Sequence, residues 1–284
     1  MLQKNIQSLV TLTRQQRGAT LIELLVGITI GLLTVVVGLG ALMMTRGVSG
    51  TVSEASQMQQ QASYAFRVIG QQLRQSGGLA IDPTTGAKED VQWPPITAGT
   101  TNAITGKDAP SSSEYKFSLT YQTILEPLYT SPTASTTTNG YLLRNCLGEN
   151  PDSTAVTLAP LVQSNFKLDA DSNLVCAGTG VAQPIISGVK DFQVTYLQQV
   201  LNPADQQPLF RYAKAADLTT PADWSSVYAV EVCLELEGNE YIDTAGSTYR
   251  DCRWKIGDSE KSRGNKMRTI YRNTFFIRNQ AWPA

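Results

Sequence analysis

The chain has 284 residues, enough for one large domain or two small ones with a real core. Its 42% hydrophobic and 17% charged residues fit a folded protein, and a net charge of -1 gives no global attraction toward nucleic acid or an acidic partner. Histidine is absent, which excludes Ser-His and Cys-His nucleophiles and leaves a zinc site only four scattered thiolates.

At the N-terminus, Lys4, Arg14 and Arg17 precede a single acid, Glu23. Then comes LLVGITIGLLTVVVGLGALMM, 21 uncharged residues from Leu24 to Met44. At about 1.5 Å per residue this run spans roughly 30 Å, the hydrocarbon thickness of a bilayer. The preceding positive residues place the N-terminus on the cytoplasmic side and the bulk of the chain outside. A cleaved secretory signal is the alternative. Against it, the apolar run exceeds the usual length and passes through Arg46 into a helical pattern with no clean small-residue cleavage site.

In that pattern Val52, Ala55, Met58, Ala62, Phe66, Ile69 and Leu73 recur at steps of three and four, one apolar stripe on an amphipathic helix. Gln57, Gln59, Gln60, Arg67, Gln71 and Arg74 fill the other face, and Ser76-Gly77-Gly78 supplies a stop. The reading is one helix from about residue 20 to about residue 75, apolar all round in its first half and on one side in its second. Gly27, Gly31, Gly38 and Gly40 in the apolar half are either close-packing sites or flexible points.

The stretch RGATLIELLVG, residues 17 to 27, resembles the prepilin motif of type IV pilins and type II secretion pseudopilins: a basic residue, Gly, a hydrophobic residue, then T-L-I-E-L ahead of a long apolar helix. ASYAFRVIGQQLRQSGG, ISGVKDFQVTY, FRYAKAADL, DWSSVYAVEVCLEL and YRNTFFIRN resemble segments of the PilW-type minor pilins, so the resemblance covers roughly residues 17 to 78 and 185 to 279. It implies an α+β type IV pilin fold: a long N-terminal helix, transmembrane then amphipathic, packed on an antiparallel β-sheet with large loop insertions. The corresponding domains are a leader peptide over 1–18, the membrane and assembly half of the helix over 19–46, its amphipathic half over 47–78, and a β-rich periplasmic domain over 79–284. A prepilin peptidase would cut between Gly18 and Ala19 and methylate the Ala19 amine. The implied role is priming of pilus assembly at or near the tip. Implied partners are other minor pilins, the major pilin, the inner-membrane assembly platform and a tip adhesin. A minor pseudopilin of type II secretion is the runner-up. The sequence departs from the family at Ala19, where phenylalanine is usual, in its 18-residue leader, and in carrying glycine near residue 40 where major pilins often carry proline.

Glu23 then has two readings. It is either an N-terminal carboxylate favoured by the helix macrodipole, or a register device. In the second case it pairs with the positive amine of Ala19, its own or a neighbour's, and thereby fixes the axial offset between subunits. An unpaired carboxylate in lipid or in a fibre core costs several kcal/mol, so pairing selects one offset.

Residues 77 to 114, rich in Thr, Ser, Gly, Pro and Ala, read as a long loop. Alternation follows. Tyr115, Phe117, Leu119 and Tyr121 share a face, as do Phe192, Val194 and Tyr196, and as do Tyr228, Val230, Val232, Leu234 and Leu236. Arg268, Ile270, Arg272 and Thr274 alternate with Thr269, Tyr271, Asn273 and Phe275. These are half-buried antiparallel strands. Glu231, Glu235, Glu237, Glu240 and Asp243 form an acidic segment; Arg253, Lys255, Lys261, Arg263, Lys266, Arg268, Arg272 and Arg278 form a basic one. Either the basic run is a DNA-binding patch, or the two segments pair across a hairpin. The absence of interleaved aromatics favours the hairpin.

Cys146, Cys176, Cys233 and Cys252 include no C-x-x-C spacing and read as two disulfides in an oxidising compartment. Three pairings are open, and the shortest loops give Cys146–Cys176 and Cys233–Cys252. DADSN, residues 169 to 173, mimics the opening of a calcium loop, but Leu174 stands where glycine belongs and Gly180 where glutamate belongs, so a hairpin turn is expected and no metal. No phosphate loop or dinucleotide fingerprint is present, so no cofactor and no enzymatic activity are expected. A carboxylate-pair hydrolase needs no local motif, yet it leaves the N-terminus unexplained.

Overall fold

The computed structural model describes residues 18–79, 102–123, 125–129, 137–151, 160–242 and 246–277. The expected leader apart from Gly18, residues 80–101 of the expected loop, and Asp243 and Arg278 of the charge pattern lie outside the described residues. A helix, α1 (Leu21–Gln75), opens the described chain. Two compact units divide within it, Met1–Gly50 and Thr51–Ala284.

In the first unit, the segment Leu21–Met43 has a mean hydropathy of 2.4 and is exposed throughout. It is long and apolar enough to cross a bilayer. Thr29 and Thr34 do not interrupt it, because each hydroxyl donates within the helix, to Val26 O at 2.9 Å and to Gly31 O at 2.8 Å.

In the second unit, the helix from residue 51 onward buries Met58, Ala62, Ala65, Ile69 and Leu73 in the main core cluster. Each large apolar side chain fully buried there contributes about 1.5–3 kcal/mol. The face differs from the expected stripe by a small rotation: Val52 is 63% exposed, while Glu54 and Gln72 are buried. Polar side chains enter a buried helical face where the partner surface offers hydrogen bonds, and both do so here. Gln72 Oε1 accepts the hydroxyls of Tyr121 and Ser164, each at 2.8 Å. Gly77, at φ +71°, ends the helix in the left-handed region open to glycine, and its N–H donates to Thr120 O at 3.0 Å.

The strands form two main antiparallel sheets rather than the single sheet expected. The first comprises β1 (Ile104–Gly106), β2 (Phe117–Gln122), β5 (Leu161–Leu168), β6 (Leu174–Ala177) and β7 (Gln183–Ile186), in the order β1-β2-β5-β6-β7. A separate ribbon pairs β3 (Leu125–Tyr129) with β4 (Thr137–Tyr141). The second sheet comprises β8 (Val189–Leu201), β9 (Pro208–Ala213), β10 (Val227–Tyr241) and β13 (Lys266–Phe276), in the order β13-β10-β8-β9. A short helix, α2 (Pro221–Ser225), capped by Thr220, leads into β10, and a small ribbon joins β11 (Thr248–Tyr249) to β12 (Lys261–Ser262). The fold is thus α+β, an apolar N-terminal helix followed by antiparallel sheets. Strand β1 falls inside the stretch read as a loop: with three residues it shows no alternation, yet Ile104 is fully buried.

One core cluster draws on both sheets and the helix. Phe117 stacks on Phe166 at 4.9 Å and meets Phe192 of the second sheet at 5.9 Å. At Gly70 the helix lies so near β13 that an added β-carbon would overlap the Phe275 ring.

Candidate functional site

Gly18 and Ala19 are exposed and precede the helix without regular structure. Thr20 stands at the N-cap position. Its hydroxyl oxygen accepts the Glu23 N–H at 3.3 Å, and Glu23 Oε2 accepts the Thr20 N–H at 3.3 Å and the Thr20 hydroxyl at 3.4 Å. The exchange is a reciprocal capping box that satisfies donors the first helical turn leaves orphaned. Thr20-Leu21-Ile22-Glu23 fits the sequence signature for that box, so Thr20 was readable as a functional partner of Glu23 from spacing alone. The carboxylate also stands where the macrodipole favours a negative charge. Among the described residues Glu23 has no cationic partner.

A second carboxylate of the helix, Glu54, was not singled out by periodicity. It is 8% exposed, and its Oε1 accepts the N–H of Glu240 at 2.8 Å and the N–H of Asn239. A β-carbon at Gly238 would collide with this carboxylate, so the glycine opens the seat for it. The seat coincides with a register irregularity in the β10–β13 pairing between Glu237 and Tyr241, where backbone N–H groups are free to turn toward a side chain.

The acidic and basic segments meet along β10 and β13. Arg272 Nη1 lies 3.2 Å from Glu231 Oε1, Arg268 Nη2 lies 2.6 Å from Glu237 Oε2, and Lys190 and Lys266 reach Glu237 Oε1 at 3.3 Å and 3.7 Å. Burial works to raise the Glu237 pKa, and Lys190 and Arg268 together outweigh it, so the carboxyl lies below its usual range. Beyond the hairpin, Arg253 pairs with Asp191 at 3.1 Å, Lys261 with Asp251 at 2.5 Å and Arg250 with Glu260 at 2.9 Å. Most of the basic run is therefore neutralised within the chain, the arrangement the hairpin reading describes, and little of it is left as a phosphate-contacting patch.

Cys146 is bonded to Cys176 and Cys233 to Cys252. The second bridge holds the 247–254 segment over the outer face of β10, where the Tyr249 hydroxyl donates to Glu235 Oε1 at 2.7 Å. At DADSN the chain makes a turn between β5 and β6. Asp169 Oδ1 accepts the N–H groups of Asp171 at 2.9 Å and Asn173 at 2.7 Å, and Ser172 adopts φ +63°. The carboxylate is spent on the turn. Among the described residues no three His, Cys, Asp or Glu side chains are grouped as metal ligands.

Comparison with known proteins gives two matches. Residues 160–279 match the family model described as "Type IV Pilus-assembly protein W" (PilW). A solved structure, a type IV-like pilin from Thermus thermophilus, is similar over 79% of this chain and 98% of that one, at 11% sequence identity and a TM-score of 0.36. No curated protein matches. The family match begins at residue 160, ahead of the segment whose resemblance is visible by eye, and takes in β5 to β13.

Proposed function

We infer that this chain, which matches the PilW family model over residues 160–279, is a minor pilin of the type IV pilus that primes assembly and stands at or near the pilus tip. The observation that carries the reading is the N-terminal segment: a 23-residue apolar stretch of helix, exposed throughout, entered through one acid on its first turn. A helix apolar all round needs lipid or other helices around it, and a filament core supplies the second after the membrane has supplied the first.

On this reading a prepilin peptidase removes the leader between Gly18 and Ala19 and methylates the new amine. The globular domain stays in the periplasm until subunits are drawn laterally into the filament. There the chain joins other minor pilins, the major pilin and the inner-membrane assembly platform, and it supports a tip adhesin. No covalent chemistry is required of the chain itself. Glu23 serves twice. Through Oε2 it closes the capping box with Thr20, and in the assembled state its negative charge receives the Ala19 ammonium of a neighbour. That pair is satisfied at one axial offset, so the carboxylate sets register.

The test is a deletion strain scored for surface pili, twitching and exoprotein release, complemented with the intact chain or with Glu23→Ala. The expected result is loss of pili restored by the intact chain. Glu23→Ala should be cleaved normally and be incorporated at least about tenfold less, the factor that corresponds to ~1.4 kcal/mol. Normal incorporation of that variant removes the register role. Loss of exoprotein release with pili intact makes the chain a pseudopilin. N-terminal sequencing from the native cell should read Ala19 first, with the apolar helix retained.

A further inference from the structure

We propose that the outer edge of β9 receives an extended strand from another protein of the filament, a segment with apolar residues on one face and a carboxylate on the other. The identity of the host assembly rests on the pilin reading; the docking geometry rests on the sheet alone.

Strand β9 ends the second sheet. Its six residues pair with β8 on one side, from Leu201↔Pro208 to Tyr196↔Ala213. On the other side the outward peptide groups have no strand among the described residues, and an extended backbone is the structure that satisfies alternating N–H and C=O groups in a row. Edges of this kind are normally blunted by charge, proline, shortness or cover. The other sheet ends obey that rule. At the far end of the same sheet, β13 carries Lys266, Arg268 and Arg272, and Arg263 Nη1 donates to Arg268 O at 2.7 Å. In the first sheet, β7 has four residues including Pro184, and β1 has three. β9 has none of these protections beyond Pro208 at its first position. Its one charge, Arg211, donates inward to Gln198 Oε1 at 3.0 Å.

The side chains around this edge are apolar and bare. Phe210 packs against Tyr228 at 5.2 Å, and Tyr228 against Phe276 at 5.8 Å, forming an aromatic row across the sheet. The row lies on the face opposite the core residues Tyr196 and Val230, and its members remain 42–57% exposed, with Tyr212 beside them at 70%. Further along the same face the segment bearing Tyr249 and Cys252 covers the sheet. The aromatic end has no such cover among the described residues. An added strand would extend the sheet and lay its own apolar side chains beside Phe210 and Tyr212.

Charge separates a foreign strand from a second copy. Antiparallel self-pairing about the middle of β9 brings two Arg211 side chains onto neighbouring positions of one face, and like charges there are destabilising. A carboxylate-bearing strand is favoured at the same place.

The experiment places p-benzoylphenylalanine at Phe210, at Tyr212 or at Leu209 in the full chain, expressed in its native cells and irradiated. Successive same-face residues in a strand are two apart. The Phe210 and Tyr212 probes should therefore map to residues two apart in one segment of one partner. A second variant set, Phe210→Lys with Tyr212→Lys, should lower the adduct from Leu209 by about tenfold while leaving the unfolding midpoint unchanged. The proposal is overturned by adducts to a second copy of this chain, by adduct sites that do not step by two, by no adduct at any of the three positions, or by Leu209 adducts that survive the double lysine variant. These readouts are independent of pilus number, so they separate from the deletion and Glu23→Ala results that test the pilin reading.

Discussion

Residues 21–43 and residues 51–75 belong to the same helix and handle apolar side chains in opposite ways. In the first stretch leucines, valines and isoleucines point in every direction and are half to three-quarters exposed. In the second, one face alone is apolar, and its members Met58, Ala62, Ala65, Ile69 and Leu73 are at most 3% exposed. Each stretch also carries an acid near its start. Glu23 is exposed and bonds to its own first turn; Glu54 is buried and bonds to the backbone of β10. The difference teaches where each half finds its solvent. The packed half completes its contacts inside the chain, so its variants should be read as stability. On the proposed function the bare half completes them with lipid or with other chains, so its variants should be read as insertion and assembly.

The sharpest way to break this contrast is to truncate one large side chain in each half. Ile69→Ala should cost the intact chain, in detergent micelles, about 2–5 kcal/mol of unfolding free energy. Val35→Ala should stay within about 0.5 kcal/mol. Denaturant unfolding followed by the fluorescence of Trp224, which is buried against Tyr196 at 5.0 Å, measures both. Equal losses at the two positions would mean that the apolar half also packs on the domain.

Next in size is the bridge that secures the sheet under the packed half. Replacing Cys233 and Cys252 together by serine should cost about 3 kcal/mol, since the bridge closes a loop with a sequence separation of 19. A variant as stable as the parent would mean that Tyr249 and the ion pairs hold the segment without the bridge.

Glu54→Ala should follow, at about 1–3 kcal/mol, because it strips the acceptor from the N–H groups of Asn239 and Glu240. Glu54→Gln keeps an oxygen acceptor and should recover part of the loss. Thermal unfolding of the parent, the two Glu54 variants and Glu23→Ala side by side ranks them. If Glu54→Ala destabilises no more than Glu23→Ala, the buried seat is not an anchor.

How much of this was readable in advance follows from the same contrast. The bare half was legible as an exposed apolar helix, because an uncharged run needs no distant partner to be recognised: 21 uncharged residues can be counted. Strands β8, β10 and β13 were legible because alternation reports a sheet with one wet face, and their acidic and basic segments meet in register, as at Glu237↔Arg268. What failed to show was whatever depends on a partner far along the chain. Glu54 looks like another polar residue among glutamines until β10 arrives 185 residues later. Tyr228 keeps the alternation of β10, yet it sits beside a register shift at Val227/Ala229 and turns outward at 42% exposure. Of the site residues, Glu23 stood out by charge contrast, whereas Thr20, its capping partner, went unread although its three-residue spacing from Glu23 carries the capping-box signature.

The smallest expected effect is a pH dependence, and it acts on the seat of the packed half alone. Glu237 precedes the glycine on which Glu54 rests, and Asp251 lies one residue before the bridged Cys252. Burial pushes both carboxyls up, but Lys190 and Arg268 around Glu237, and Lys261 beside Asp251, leave each with a folded pKa below its ordinary value. A depressed folded pKa means that the unfolded chain takes up protons first. Their contribution is therefore fully present above the ordinary carboxylate range and lost as pH falls through the lowered folded values. The unfolding midpoint should be flat between about pH 7 and 5 and fall below about pH 4, near where unperturbed carboxylates titrate. Glu237→Gln should start from a lower midpoint at neutral pH and show a shallower acid decline. Helicity of the bare half should not follow this curve, since both carboxyls belong to the second unit. A decline with the same slope in Glu237→Gln would assign the acid sensitivity to other carboxyls.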